Sequence, residues 1–515
     1  MSDDKTLTEA LEPFAARKRA LDRIDYSRRH AKGLLSARER VDLLFDAGSF
    51  LELAPLARES ELARHTKPGE TPRDGIVVGY GKVNGRRVAA AAYDMAFRGG
   101  SMGKVCEWKF TRLKRLVQEQ GFPLVILTEG TGARLEEEVS SQGAYDNPQF
   151  ANLVALSGQV PIVVAVMGLC VGGHANLSAI GDFVPMTRDA CMMIAGPQLL
   201  RTKMGIDTSL EQLGSAKKHV ERSGMADLLV EDDRDCIARI KEFLSYVPDN
   251  CNQGPPRRPT RDRADRRCDE LLELVPADLR FAYDIRKVVR GIVDDGACFE
   301  FKPRFAPNAV TVLAHLDGRA VGIIANQPNH MSGTLDVKAC QKICRFINFC
   351  DAFGFALIFL QDIPGFYPGP QSEEDGIIRW STRMLYEIEH ATVPRFTVML
   401  RKAYGLAHYG MNSLGMRPDL LVAWPLASFS AIAPDDAVEV LFGKQLAQEP
   451  DGERRKLELI EEFRSKIGIL PAAEAALVDD VIDPADTRRV LIQALDMARE
   501  RRPGHPFKRR GITPI

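Results

Sequence analysis

The sequence predicts an α/β fold built twice along one chain. Three observations carry this: glycines and prolines that recur at a constant spacing, short β-branched runs that alternate with amphipathic helices, and a polar, basic stretch midway between the copies. The glycine turns Val83-Asn-Gly-Arg-Arg-Val88 and Leu316-Asp-Gly-Arg-Ala-Val321 place Gly85 and Gly318 233 residues apart. Gly100 and Gly333, Gly121 and Gly354, Pro161 and Pro394, and Gly172 and Gly405 keep that offset. After a four-residue slip, Asp182 answers Asp419 and Pro197 answers Pro434, each pair 237 apart. Duplicated halves often set their active elements face to face, so a site between related domains is expected.

Each element has its local reason. Residues 1–45 mix Arg17, Lys18, Arg28 and Arg29 with acids in a helical pattern, as a solvated or subunit-docking arm does. Ile76–Tyr80 and Val88–Ala92 are predicted strands around the Asn84-Gly85 turn. Lys104–Gln120 is predicted as a helix stopped by Gly121, and Leu124–Leu127 as a buried strand. The Pro-rich, basic stretch Asp249–Arg263 reads as a linker, with a first domain over 1–255 and a second over 270–515. The second half repeats the order: helix 337–353, strand 356–361, loop 362–376, helix 377–390, strand 395–400. The tail from Arg499 is expected on the surface.

Composition excludes several classes. A net charge of −1 gives no footing for a nucleic-acid or anionic-membrane partner. No signal-peptide apolar region opens the chain, and the longest apolar stretch, about Pro161 to Val171, is too short for a bilayer. Ten cysteines without a Cys-x-x-Cys pair argue for a reduced, cytoplasmic protein without a metal site. Cys340 and Cys344, one helical turn apart, read as one buried face.

Two places in each half end a buried strand in a glycine turn before a helix. They are Glu129-Gly-Thr-Gly-Ala-Arg134 and Gly168-Leu-Cys-Val-Gly-Gly-His174, then Asp362-Ile-Pro-Gly-Phe366 and Lys402-Ala-Tyr-Gly-Leu-Ala-His408. Adjacent backbone N–H groups at such a turn converge on one point and can hold an enolate oxygen. One such turn alone is equally a tight packing device; the paired recurrence favours function at Gly172-Gly173 and Gly405–Ala407. No nucleophile–base set is visible, and no Walker A loop. Two oxyanion turns without a base suit two enolate-like species exchanging a small group.

Over more than nine-tenths of its length the chain resembles the carboxyltransferase (β) subunits of biotin-dependent acyl-CoA carboxylases, propionyl-CoA carboxylase above all. The strings that carry the likeness include Asp74-Gly-Ile-Val-Val-Gly-Tyr80, Gly99-Gly-Ser101, Gly132-Ala-Arg134, Gly168–Gly173, Asn326-Gln-Pro328, Asp362–Gly369 and Arg401-Lys-Ala-Tyr-Gly405. The resemblance implies two tandem crotonase-like domains (ββα superhelices) and a hexamer of stacked trimers, with the site between the first domain of one subunit and the second of another. It implies that Gly172 and Gly173 stabilise the acyl-CoA enolate, and that Leu406 and Ala407 stabilise the ureido enolate of biotin. N-Carboxybiotin would release CO2, biotin would take the α-proton, and the acyl enolate would capture CO2. Gly100, Gly132, Ala133, Arg134, Gly365, Phe366 and Gly405 would line the cofactor and CoA sites. The family's biotin-attachment lysine, flanked by methionines, is absent, since Thr202-Lys-Met204 lacks the first methionine. Biotin carboxylase and the biotin carrier are therefore expected from a partner chain or chains.

Departures from the family pattern bear on the substrate. Glu129-Gly-Thr-Gly-Ala-Arg134 stands where relatives read Asp-Ser-Gly-Gly-Ala-Arg, and His174 follows the glycine pair where a small residue is common. Leu406 replaces a glycine, and Tyr409 an aspartate that bears on acyl-chain choice. His174, His408 and Tyr409 are thus the expected specificity residues, although Tyr409 could equally pack at a subunit interface. Two further readings stay open: an acyl-CoA decarboxylase running the transfer in reverse, and a non-catalytic scaffold subunit whose site is occluded by His174, Leu406 and Tyr409.

Overall fold

The computed structural model describes residues 6–21, 24–61, 63, 73–141 and 149–498; the first five residues and the tail from Arg499 lie outside them. The chain divides into two compact units between Gln253 and Gly254, inside the stretch read as a linker. The rest of that stretch is tied to the second unit, where the Arg258 N–H donates to Gly318 O at 2.8 Å and Arg266 holds Asp262. The amino-terminal arm contains helices Leu7–Leu21, Ser27–His30 and Ala37–Leu44, the last opened by a Ser36/Glu39 capping box.

The first unit's sheet comprises β1 (Leu51–Glu52), β2 (Ile76–Val83), β3 (Arg86–Tyr93), β4 (Leu124–Gly130), β5 (Ile162–Val171), β6 (Pro185–Thr187), β7 (Cys191–Met193) and β8 (Leu228–Val230). The second comprises β9 (Cys298–Phe301), β10 (Ala309–Leu316), β11 (Arg319–Asn326), β12 (Ala356–Ile363), β13 (Arg395–Tyr404), β14 (Leu420–Ala423), β15 (Ser428–Ser430) and β16 (Asp480–Val481). Strand order is β1-β2-β3-β4-β5-β6-β8 in one and, read in the same sense, β9-β10-β11-β12-β13-β14-β16 in the other. The extra strands β7 and β15 pair with β5 and β13. Both sheets start antiparallel and continue parallel, and β4, β5, β12 and β13 are buried nearly end to end, as interior strands of parallel sheets are.

The repeat is therefore structural as well as sequential. The predicted helices Lys104–Gln120, Val337–Phe353 and Ile377–His390 form over those residues. Asn84 and Gly85, at φ 49° and 80°, make the left-handed pair that a two-residue hairpin requires, and Asp317 and Gly318 repeat it at 51° and 72°. Even the irregularity in β4 between Thr128 and Gly130 recurs in β12 between Gln361 and Ile363. The Asp182 carboxylate accepts the Ile162 N–H at 2.9 Å, and Asp419 accepts that of Arg395 at 2.8 Å, which sets the start of β5 and of β13. The strands expected over 76–80, 88–92, 124–127 and 356–361 run longer, over 76–83, 86–93, 124–130 and 356–363, and two further expectations differ from the outcome. Strand 395–400 runs on to Tyr404, because β15 pairs with Lys402–Tyr404. Loop 362–376 contains a short helix, Pro370–Glu374, with proline in its first turn.

Leu113, Ile126 and Val164 lie in the core of the first unit, and Ile323, Ile358, Val398 and Trp424 in that of the second. Cys340 and Cys344 are both buried. Among the described residues no cluster of His, Cys, Asp and Glu could hold a metal ion, and no helix is long and apolar enough to cross a membrane.

Candidate active site

At the end of β5, Gly172 turns the chain with φ 59° and ψ −117°, a conformation closed to residues with a Cβ. Its N–H donates to Met193 O at 3.0 Å, so that it belongs to the pairing with β7. The helix Gly173–Ile180 starts immediately, and its first internal bond runs from the Asn176 N–H to Gly172 O. The N–H groups of Gly173, His174 and Ala175 are left without a main-chain acceptor among the described residues, and the first two stand nearest the strand end.

The second unit repeats this at the end of β13. Gly405, at φ 62°, donates its N–H to Ser430 O at 3.1 Å, and the N–H groups of Leu406 and Ala407 are left without one before the short helix Ala407–Gly410. Leu406 and Ala407 are the two residues expected to face the ureido enolate. Of the expected Gly172–Gly173 pair, the Gly172 N–H is bonded to Met193 O, and the free N–H groups start at Gly173. Gly172 supplies the turn that aims them.

His174 is expected as a specificity residue, and in the fold its side chain is fully buried. Nε2 lies 3.0 Å from Gly100 O and must carry the hydrogen, since a carbonyl can only accept. Nδ1 then accepts from the Thr128 hydroxyl at 2.9 Å. The ring meets Tyr93 edge-on at 4.5 Å. Gly130 makes room for it: a Cβ there would stand 2.2 Å from Nε2. Two separate departures from the family pattern, Gly130 and His174, are one exchange of volume across the strand end.

His408 is buried as well, with Nδ1 at 2.6 Å from Ser413 Oγ and its ring between Tyr409 and Phe429. Tyr409 is half-buried and packs on Gly415, where a Cβ would come within 2.2 Å of the phenol ring. Leu406 is 56% exposed. The occlusion that the scaffold reading needs from His174 is therefore missing.

Burial pushes both imidazoles from 6.5 down to about 4, so that both are neutral at pH 7. A folded value below the unfolded one means that stability is complete above pH 6.5 and is lost as pH falls toward 4. A shift of this size is worth roughly 3 kcal/mol for a fully buried ring. The expected result is a lower urea midpoint at pH 5 than at pH 7.5, with the difference reduced in His174→Gln; an equal difference in that variant would remove His174 from the effect.

The glycine loops lie beside these turns. In the first unit Met102 bridges to Ala133, its N–H donating to Gly132 O, and the Arg134 N–H returns to Met102 O. In the second, Leu335 bridges to Phe366 with the same two bonds, from the Leu335 N–H to Gly365 O and from the Tyr367 N–H to Leu335 O. Ala133 is exposed and Phe366 half-buried, with its ring against Gly410. Arg134, expected in the cofactor site, is a buried member of this loop. Its guanidinium is buried on Asp74 at 2.7 Å and on Ser101 O, which makes it a strut of the loop.

Behind each turn sits a buried carboxylate neutralised by arginine. Asp362 of β12 receives Arg401 from the adjacent β13 at 2.9 Å. Glu129, its counterpart in β4, has Gly168 where Arg401 stands, and a Cβ on Gly168 would meet Glu129 Oε2 at 2.5 Å. Arg40 and Arg29 enter from the amino-terminal helices instead, with Arg40 also gripping Asp233 at 2.8 Å. Thr128, Gly130 and Arg40 escape a reading of local motifs because their partners are distant in sequence.

The comparisons with known proteins agree with this geometry. The carboxyl transferase domain family matches residues 28–512. The carboxyltransferase subunit of propionyl-CoA carboxylase from Haloferax mediterranei is 39% identical over 94% of each chain. The methylmalonyl-CoA decarboxylase subunit alpha of Veillonella parvula is 37% identical over 95% of this chain and 94% of its own. The solved structure of transcarboxylase 12S, a hexamer with methylmalonyl-coenzyme A bound, superposes with a TM-score of 0.93 at 36% identity, with each chain covered in full. With the paired crotonase-like sheets and strand-end donors in place, the chain belongs to the carboxyl transferase family and is a carboxyltransferase.

Proposed function

We propose that this chain is the carboxyltransferase subunit of a biotin-dependent acyl-CoA carboxylase that acts on a short acyl-CoA of the propionyl type. The observation that carries the reading is the pair of free N–H donors at equivalent strand ends, Gly173 with His174 and Leu406 with Ala407. The first pair donates to the thioester oxygen as negative charge grows there on loss of the α-proton; the second donates to the urea oxygen of the carrier. Carboxybiotin, brought by a partner chain, supplies the CO2 and then the base. The protein's own groups fit that division. Glu129 and Asp362 are bound to arginines, and His174 is neutral with both nitrogens engaged. None stands ready to take a proton. The donors act in a hexamer in the cytoplasm, with a biotin carboxylase and biotin carrier as partner. The likeness to the Veillonella subunit also supports the reverse transfer, which the same donors would serve; the identity of the partner separates the two.

The expected result is that the pure chain does not carboxylate propionyl-CoA from ATP and bicarbonate, and does so once its biotinylated partner is added. ATP-dependent turnover by the biotin-free chain would overturn the reading. Within it, Tyr409→Asp shifts relative kcat/KM toward propionyl-CoA, since a polar group in an acyl pocket discriminates more strongly than a methylene. An unchanged ranking in an intact hexamer would show that Tyr409 serves packing alone.

A further inference from the structure

We propose that His174 is a positioning residue for the acyl-side oxyanion hole: its imidazole, tethered to Thr128 Oγ1 and Gly100 O, aims the main-chain N–H of the same residue. The inference rests on the donor assignment made above. The ring and the N–H share one Cα, so a ring held at both nitrogens restrains that Cα and the amide attached to it. The tether joins three elements through one side chain: the end of β4 at Thr128, the turn Arg98–Gly100, and the helix that starts at Gly173. Tyr93, edge-on at 4.5 Å, closes off rotation of the ring. Gly130 is glycine at the one place where a Cβ would displace Nε2. The burial is complete, so the ring answers to no solvent and to no substrate.

The second unit shows what the device is not. At the position equivalent to His174 stands Ala407, which has no side chain to tether. In place of Thr128 is Gln361, whose Nε2 donates to the main-chain oxygen of His408 at 3.3 Å. The side-chain clamp therefore belongs to the acyl side alone. A polar clamp inside a strand end also costs more to build than a methyl group, because each buried polar atom must find its partner. Here both ring nitrogens have found one.

The test uses the full chain with its biotinylated partner and compares Thr128→Val, His174→Leu, His174→Gln and the double variant Thr128→Val/His174→Leu. Transfer to acyl-CoA is measured alongside decarboxylation of the carboxylated partner without acyl-CoA. Misplacing a donor by about 1 Å costs up to roughly a hundredfold. The expected result is a kcat about tenfold lower for Thr128→Val and lower still for His174→Leu, with KM within about twofold and acyl-free decarboxylation unchanged. The double variant should be no slower than His174→Leu, because both remove one tether, and His174→Gln should recover part of the rate. Should His174→Leu fail to assemble, the near-isosteric Thr128→Val carries the test alone. Equal losses in both half-reactions, or a folded Thr128→Val with normal kcat, would overturn the positioning role. A slow Gly173→Val beside a normal Thr128→Val would discard the clamp and keep the hole; normal rates in both would discard the hole itself.

Discussion

Gly173→Val lowers turnover by roughly 10²–10³-fold with little change in the KM for acyl-CoA, the usual cost of losing one oxyanion donor. The geometry explains why valine and not merely any side chain is the informative change. A Cβ on Gly173 would already stand 3.0 Å from Met102 Sδ, and a β-branched chain adds a methyl on that side. The Met102 side chain is buried in the core of the first unit, so its thioether has little space to swing into and the turn with its N–H moves instead. The effect falls on kcat because the donor works hardest when charge has developed on the oxygen. Steady-state kinetics with the biotinylated partner, with the hexamer checked by light scattering, measure it. A matching change at Ala407, which is buried at the start of its helix, should impair decarboxylation of the carboxylated partner. Near-normal rates in both variants would end the two-hole assignment.

Arg40→Met should cost about 3–5 kcal/mol of stability, the penalty for leaving buried carboxylates without their cation. Arg40 is fully buried, with Nε 2.8 Å from Asp233, Nη2 3.0 Å from Met167 O and the same nitrogen 3.3 Å from Glu129. The attraction of these two carboxylates holds the guanidinium charged against its burial. Methionine fills the volume but satisfies none of these groups. Arg29 still reaches Glu129, so the larger deficit falls on Asp233. The double variant Arg40→Met/Asp233→Asn should therefore recover part of the loss, which a urea titration of single and double variants reads directly. A loss under about 1 kcal/mol in the single variant would show that water or a rearranged Arg29 replaces the pairing.

Much of the architecture is legible in the chain because its determinants are local. A left-handed turn needs glycine or asparagine, a helix end needs Gly121 or Gly354, and buried parallel strands need unbroken apolar runs. These constraints act within a few residues, so duplication of the fold left them in register at one spacing. The helices Lys104–Gln120 and Val337–Phe353 follow from that pattern without tertiary knowledge. The longer reach of β13 does not, because its last residues are strand only where β15 comes alongside.

The sequence by itself determined the repeated α/β architecture, the strand-end glycine turns and the absence of a local nucleophile–base set. Which N–H groups those turns leave free was decided by tertiary structure, since a main-chain donor is spoken for only when a distant strand brings its acceptor. Met193 does this for Gly172, and Ser430 for Gly405. The same holds for side chains. His174, read along the chain, follows a glycine pair as if to face the substrate; in the fold, Thr128, Gly100 and the space left by Gly130 draw it inward. Arg40 and Arg401 neutralise equivalent carboxylates from unrelated places in the chain. Charge burial demands a partner but does not say where in the sequence that partner must come from.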